Sequence, residues 1–325
     1  MMQVFFLGPN RLRNLLYFLM LLILSFGLTA NWERLLRCFQ GVKSGVYLEG
    51  RAIAGLLPEE VTQIVKAMAI QLKREPLNAG YYSETGQIMP SQSGREVDVV
   101  RNVNRVYSAP AGSRLSLEVT EIPAAIGADY YQAVYHGDTG KSRVALAINV
   151  AWGEEHLPEI LQVLQSEKVH VTFFLVGSWV KVFPELVKQM AGAGHEMANH
   201  GLYHGHPLQM GKADVKKLIA DNSLLIWSVT GKKPANLFAP PYGEVNQTVV
   251  NCAAELGYHT VLWSVDSVDW KNPAPDMMLQ RITSKIQPGG IILLHPTLPT
   301  KMVLTGLIKS LRQKGLEPGT VTSVL

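Results

Sequence analysis

The stretch Arg143–Ser166, RVALAINVAWGEEHLPEILQVLQS, sets the pattern for most of the chain. Val144–Val150 is a short, nearly continuous apolar run, which reads as a strand buried on both faces. Pro158 then opens a helix to Ser166, since proline is tolerated in a first turn. The same unit recurs downstream. Strands are predicted over Val169–Val176, His195–Asn199, Leu237–Ala239, Thr260–Val265 and Gly290–Leu294. They alternate with helices over Pro184–Ala193, Ala213–Thr230, Gln247–Leu256, Met277–Ile286 and Val303–Lys314. Short-looped βα repeats mean a parallel sheet, and their density favours a closed or nearly closed (β/α) barrel. In such barrels chemistry gathers at the C-terminal strand ends. The polar residues fall there: Asn149, Trp152 and Glu154 after the first strand, His200 and His204 after the third, Pro240–Gly243 after the fourth, Asp266, Asp269 and Trp270 after the fifth, and His295 after the sixth.

The segment His195–His206, HEMANHGLYHGH, holds four of the nine histidines. His200 and His204 stand at i, i+4, which on a helical turn places both imidazoles on one face, as a metal pair requires. His195 follows Gly194 and opens a strand. Two histidines do not complete a metal site, and the bland reading is a polar loop.

With 47% hydrophobic residues, 325 residues support one large core and a smaller module. The net charge of +4 is scattered, which suits an anionic cell envelope and gives no nucleic-acid patch. Cys38 and Cys252 have neither metal-ligand spacing nor the look of a disulfide framework. Asn14–Trp32 carries no charge and follows Arg11 and Arg13. A positive flank before an apolar run is expected to be a single-pass membrane anchor (residues 1–32), with the bulk of the chain outside the cytoplasm.

Residues 33–125 read as a small α+β domain. Pro58, Glu59 and Glu60 open a helix whose buried face is Val61, Ile64, Val65, Met68 and Leu72. Asn78–Ile88 reads as a hairpin and Leu115–Ile122 as a strand. Pro58-Glu59-Glu60, Pro76-Leu77-Asn78-Ala79 and Gly94-Arg95-Glu96-Val97-Asp98 make the segment similar to the peptidoglycan-binding domain of VanW-type proteins and some cell-wall enzymes. Residues 126–142 read as a linker or lead-in.

The segment 143–325 resembles the polysaccharide deacetylases of the NodB-homology type, carbohydrate esterase family four. The resemblance is carried by His200-Gly201-Leu202-Tyr203-His204, Val171–Gly177, Phe238–Gly243, Trp263–Trp270 and Leu294-His295. It implies a distorted (β/α)7 barrel and metal-dependent removal of acetyl groups from N-acetylated sugars. It assigns His200 and His204 as ligands of a divalent metal, zinc first. It makes His295 the general acid, puts Leu294 in the acetyl pocket, and places Pro241, Tyr242 and Trp270 along the substrate groove.

Three departures stand against that pattern. The family's Thr-Phe-Asp-Asp is Ala147-Ile148-Asn149-Val150 here, and its groove arginine is Ala239. Asn149 stands where the family has its general base, and an amide takes up no proton near neutral pH. Val150 stands where the third metal ligand belongs and has no donor atom. Asp266 is expected to hold the tautomer of His295, as carboxylate–imidazole pairs do. Asn149, Glu154 and Glu155 are the candidates for a substitute ligand. Two readings follow. One is a degenerate, weak or inactive family member that binds cell-wall glycan (peptidoglycan or a similar N-acetylated polysaccharide). The other is an active N-deacetylase with a rearranged metal site.

Overall fold

The computed structural model describes residues 13–14, 16–22, 25, 31–82 and 84–325. Half of the apolar run Leu15–Ala30, expected as a membrane anchor, lies outside them. Among the described residues no helix is long and apolar enough to cross a membrane. The chain forms two compact units, one of Met1–Leu77 with Gln92–Pro123 and one of Asn78–Ser91 with Ala124–Leu325.

In the smaller unit, helices Pro58–Leu72 and Val99–Ser108 share a core of Val46, Leu48, Ile53, Val61, Val65 and Val106. The Glu60 carboxylate accepts the Leu57 N–H at 2.7 Å and pairs with Arg37, which fixes the first helix start. Asp98 caps the second helix through the Arg101 N–H at 2.9 Å. The strand expected over 115–122 is broken into Arg114–Leu115 and Thr120–Ile122, which join different sheets. Between them the Asn102 amide accepts the Glu118 N–H and donates to the Glu118 C=O, so those groups are lost to any ladder.

In the larger unit, nine parallel strands form one curled sheet. They are β1 (Ala133–Val134), β2 (Arg143–Val150), β3 (Thr172–Leu175), β4 (Glu196–Asn199), β5 (Leu237–Phe238), β6 (His259–Val261), β7 (Val265–Asp266), β8 (Ile291–Leu294) and β9 (Glu317–Gly319). The order is β7-β8-β2-β3-β4-β5-β6-β1, with β9 on the first residues of β2. The sheet is a curled half-barrel, consistent with the expected distorted barrel. The strand expected over 260–265 is two strands. β6 pairs with β1 and β7 with β8, so the barrel is open between them. The 126–142 segment, expected as a linker, supplies the edge strand β1, and Tyr131 beside it is buried with Ala254. The 80–89 hairpin forms as expected and belongs to this unit.

Strand alternation divides the core in two. In β2 the side chains of Val144, Leu146, Ile148 and Val150 join the outer core under the helices. Ala145 and Ala147 join the inner core with Phe174, Ala198, Leu237, Ala239, Val261 and Ile291. Helix Val321–Val324 adds Val321 and Val324 to that inner core. The helices over the sheet include α1 (Leu157–Ser166), α2 (Gly177–Val182), α3 (Pro184–Gly192) and α4 (Lys212–Thr230).

His195 sits just before β4 and has a structural role. It is 8% exposed, its Nδ1 accepts the Val171 N–H at 3.3 Å, and its ring meets Phe173 edge-on. Burial, with His170 alongside, pushes its imidazole from 6.5 down to about 4. The neutral ring is therefore the folded form, and its contribution to stability is complete above pH 6.5. It is lost as pH falls towards 4, because the unfolded chain takes up the proton first. Thermal unfolding against pH is expected to show this acid loss. His195→Gln should flatten the slope in that window while lowering stability at pH 8 by roughly 1–3 kcal/mol.

Candidate functional site

β4 delivers His200 to the C-terminal edge of the sheet. The i, i+4 spacing predicted a helical turn, but residues 200–206 form an irregular loop and Gly201 has φ +86°. Asn199 builds this loop. Its Nδ2 donates to Ile219 O at 2.7 Å and Ser223 Oγ at 2.6 Å, both on α4. Its Oδ1 accepts the Gly201 N–H at 2.7 Å and Asn222 Nδ2 at 2.9 Å. A fully buried amide pinned to a helix thus sets the direction of the chain at His200. The two imidazoles still meet, with ring centroids 5.2 Å apart.

His200 Nδ1 lies 2.7 Å from the Ala239 carbonyl oxygen. A carbonyl only accepts, so Nδ1 carries the proton and Nε2 keeps its lone pair. Burial pushes His200 down to about 3, against the raising effect of that hydrogen bond. Burial also lowers His204, with His295 and His206 adding to it. Both rings are neutral near pH 7, the form a metal ligand needs.

His295 follows β8, and its partner is Asp269, not the expected Asp266. Asp269 Oδ1 takes His295 Nδ1 at 2.8 Å, and Oδ2 takes the His295 N–H at 2.5 Å and Thr300 Oγ1 at 2.7 Å. The Asp269 side chain is 0% exposed, so all its partners are protein groups. Val268, at φ +58°, reverses the chain after β7 and carries Asp269 back to His295. Asp266 is left on the near side of that turn, where its Oδ1 takes the Val268 N–H at 2.8 Å. With Nδ1 committed, His295 has Nε2 free. Trp152 covers its ring, at a centroid distance of 5.1 Å and 20°.

These groups share a cavity of about 590 Å³. Asn149, His200, His204, Tyr242, Asp266, Trp270 and His295 line it, as the sequence indicated for each. Leu294 does not. It follows the outward alternation of β8 into the helix-side core, and Leu293 takes its place on the wall. Pro241 is buried and opens the turn Pro241–Gly243 without reaching the cavity. In that turn Tyr242 has φ +59°, and its ring stacks on His206 at 4.3 Å and 4°. Trp263 and Gly243, which stand inside the quoted motifs without a role of their own, are further wall residues. A Cβ on Gly243 would stand 2.6 Å from the Trp263 ring, which is why glycine is needed there. Strand periodicity was the available signal for Leu293, at an inward position of β8; Trp263 lies between β6 and β7, where no strand period runs.

The donor set for a metal stops at two imidazoles. Val150 is fully buried in the outer, helix-side core. Glu154, a candidate substitute, takes Trp179 Nε1 at 3.4 Å and is not on the cavity wall. Asn149 is 5% exposed, and its Oδ1 is buried with no hydrogen-bond partner. Ala239 lies in the inner core and offers no charge to the groove. Among the described residues no three His, Cys, Asp or Glu side chains are grouped to hold a metal. The residues therefore do not fit the Asp-His-His set that the family resemblance implied.

Residues 136–261 match the family model described as polysaccharide deacetylase. The uncharacterized protein YlxY of Bacillus subtilis is 34% identical over 271 residues, covering 83% of each chain. A peptidoglycan-N-acetylglucosamine deacetylase of Bacillus cereus is 32% identical over 167 residues, 51% of this chain and 60% of that one. Among solved structures, BA3943 of Bacillus anthracis is described as a CE4 family pseudoenzyme. It superposes with a TM-score of 0.59 at 32% identity, covering 81% of this chain and 94% of that one. A mutant of BA3943 is described as having restored enzymatic activity. On its strand-end motifs, its curled parallel sheet and these likenesses, this chain belongs to the polysaccharide deacetylase family.

Proposed function

We propose that the chain is a membrane-anchored, extracytoplasmic cell-wall protein that binds N-acetylated glycan through this cavity and has little or no deacetylase activity. The observation that carries the reading is the pair Asn149 and Val150. Amide hydrolysis needs an activated water, a stabilised oxyanion and a proton for the leaving amine. His295, held by Asp269, is equipped for the last of these. The positions the family uses for the first are not so equipped: the amide at 149 is no base, and Val150 is turned into the core. Loss of a general base alone costs roughly 10²- to 10⁴-fold in rate. The description of BA3943 as a pseudoenzyme supports the same direction.

Binding needs less. Trp152, Tyr242 and Trp270 are 43%, 57% and 52% exposed at the rim, flat faces on which sugar rings can stack. Trp152 and Trp270 also border a second cavity of about 290 Å³, so the two cavities share a ridge. That layout suits a polymer more than a single sugar. The alternative, an active deacetylase with a rearranged metal site, draws on the intact His295–Asp269 pair and the two neutral histidines. The smaller unit, through its likeness to wall-binding domains, would add a second hold on peptidoglycan.

Acetate release from acetylated chitooligosaccharides or peptidoglycan, with zinc or cobalt supplied, is expected to be near background. Asn149→Asp alone should gain little. The double change with Ala239→Arg should gain more than the sum of its parts, because both act on one step, whereas position 150 faces the helix layer and Val150→Asp adds no ligand to the cavity. Val150→Asp should also destabilise by roughly 2 kcal/mol or more, since it puts a carboxylate in the helix-side core. Robust wild-type turnover abolished by His200→Ala and His295→Ala would establish the alternative.

The uncharged run Asn14–Trp32 behind two arginines supports the anchor and its orientation. Protease added to intact, wall-stripped cells is expected to digest the 126–325 region. Complete protection while the membrane stays sealed would refute the extracytoplasmic placement.

A further inference from the structure

Helix Trp32–Gln40, in the smaller unit, is built the wrong way round for a helix in water. At about 100° per residue, Trp32, Leu35, Leu36 and Phe39 fall on one arc, and Glu33, Arg34 and Arg37 fall on the rest. A helix on a soluble protein turns its apolar arc to the core and its charges to solvent. Here a charged side faces the protein. The Arg37 guanidinium donates to both carboxylate oxygens of Glu60, at 2.8 and 2.9 Å, and to Gly55 O at 3.3 Å. The apolar arc lies nearly opposite Arg37. Trp32 is 57% and Phe39 85% exposed, Leu35 and Leu36 are half-buried, and no residue of the helix is buried.

That orientation is fixed where the helix ends. Gly41 N–H donates to Arg37 O at 3.1 Å and closes the last turn. Val42 then enters the core: its N–H donates to Leu56 O at 3.0 Å, and its C=O accepts the Gly55 N–H at 2.8 Å. With Arg37 and Val42 both held, the helix cannot roll to bury its apolar side. Single exposed apolar residues are ordinary, but four on one arc with a charge turned inward mark a surface that meets something other than water.

The sequence says what it meets. The uncharged run Asn14–Trp32 ends on the first residue of this helix. Where that run spans a bilayer, Trp32 stands at the membrane–water boundary, the depth that tryptophan favours. The nine-residue helix is roughly 13 Å long, and lying along the boundary it sets its apolar arc in lipid and leaves Arg37 and the body above it in water. Resting on the membrane-anchor reading above, we propose that helix Trp32–Gln40 lies flat in the outer surface of the bilayer, with Trp32, Leu35, Leu36 and Phe39 in the lipid. It is a lipid-docking face, and it fixes which side of the smaller unit meets the membrane.

The test uses the full-length chain in vesicles of phosphatidylethanolamine and phosphatidylglycerol, carrying one nitroxide label at a time. The labelled variants are Leu22→Cys, Arg34→Cys, Leu36→Cys and Phe39→Cys, each with Cys38→Ser; Cys252, 2% exposed, stays in place. Power saturation compares each label's collisions with oxygen, which concentrates in lipid, and with a nickel chelate, which stays in water. Oxygen is expected to dominate at 22, 36 and 39, and nickel at 34. Nickel dominance at 36 and 39 with oxygen at 22 overturns the proposal and leaves the anchor standing. Shielding of 36 and 39 from both reagents also overturns it, and puts a protein on that face, a second copy included. Oxygen dominance at 34 as well overturns it by showing that the span simply continues. Nickel dominance at 22 overturns the anchor and the proposal together. Should Leu36→Cys fail to fold, Phe39→Cys decides, since its side chain stands clear of the body.

Discussion

The register of β2 governs what this site can do. Side chains along a strand alternate, so a strand whose odd residues face the interior must turn its even residues to the helices. Ala145, Ala147 and Asn149 face inward, and Val144, Leu146, Ile148 and Val150 face the helix layer. Position 149 alone therefore carries β2's contribution to the cavity. What it carries is an amide: neutral, a modest hydrogen-bonding partner, and useless as a base. A slip of one residue would reverse every one of these positions and place valines against the inner alanines. The neighbouring ladders to β3 and β8 forbid it, through Asn149 opposite Phe174 and Ile148 opposite Leu294.

The opposite wall is built to a different standard. Asp269 gives both carboxylate oxygens to His295 and Thr300 and is shut off from solvent, which fixes the imidazole in direction and tautomer. Asn199, Asn222 and Ser223 hold the His200 loop to α4 through a largely buried network, in which Asn199 is matched at both ends of its amide and Asn222 Oδ1 has no partner. Matched members of such networks rigidify a site. The chain thus keeps an ordered pocket with preset histidines while one wall has lost its chemistry. Order on one side and neutrality on the other suit recognition better than turnover.

Much of this was legible in the residues. The alternation of short apolar runs with amphipathic segments announced the parallel α/β unit, and the rule that chemistry collects at strand ends assembled Asn149, His200, His204, Asp266, Trp270 and His295 before any coordinates. What escaped depended on geometry that residue types do not encode. Asp266 and Asp269 are both aspartates near one strand end. Only the left-handed Val268 decides which of them reaches His295. The motif points Leu294 at the pocket, whereas alternation from Ile291 onward puts Leu293 inside. The strands Ala133–Val134 and Glu317–Gly319 are too short to show a period, and they exist because longer neighbours offer them an edge. The helical turn expected at His200 gave way to the side-chain hydrogen bonds of Asn199, a tertiary effect.

At the missing third donor the family's chemistry and this chain's neutrality part company. The most direct measurement is the metal content of the purified full-length chain, by mass spectrometry of the elements after saturation with zinc and dialysis against a chelator. Two imidazoles and an amide are predicted to hold well under one zinc per chain. One zinc per chain surviving the chelator would contradict the account and show that a third ligand completes the site.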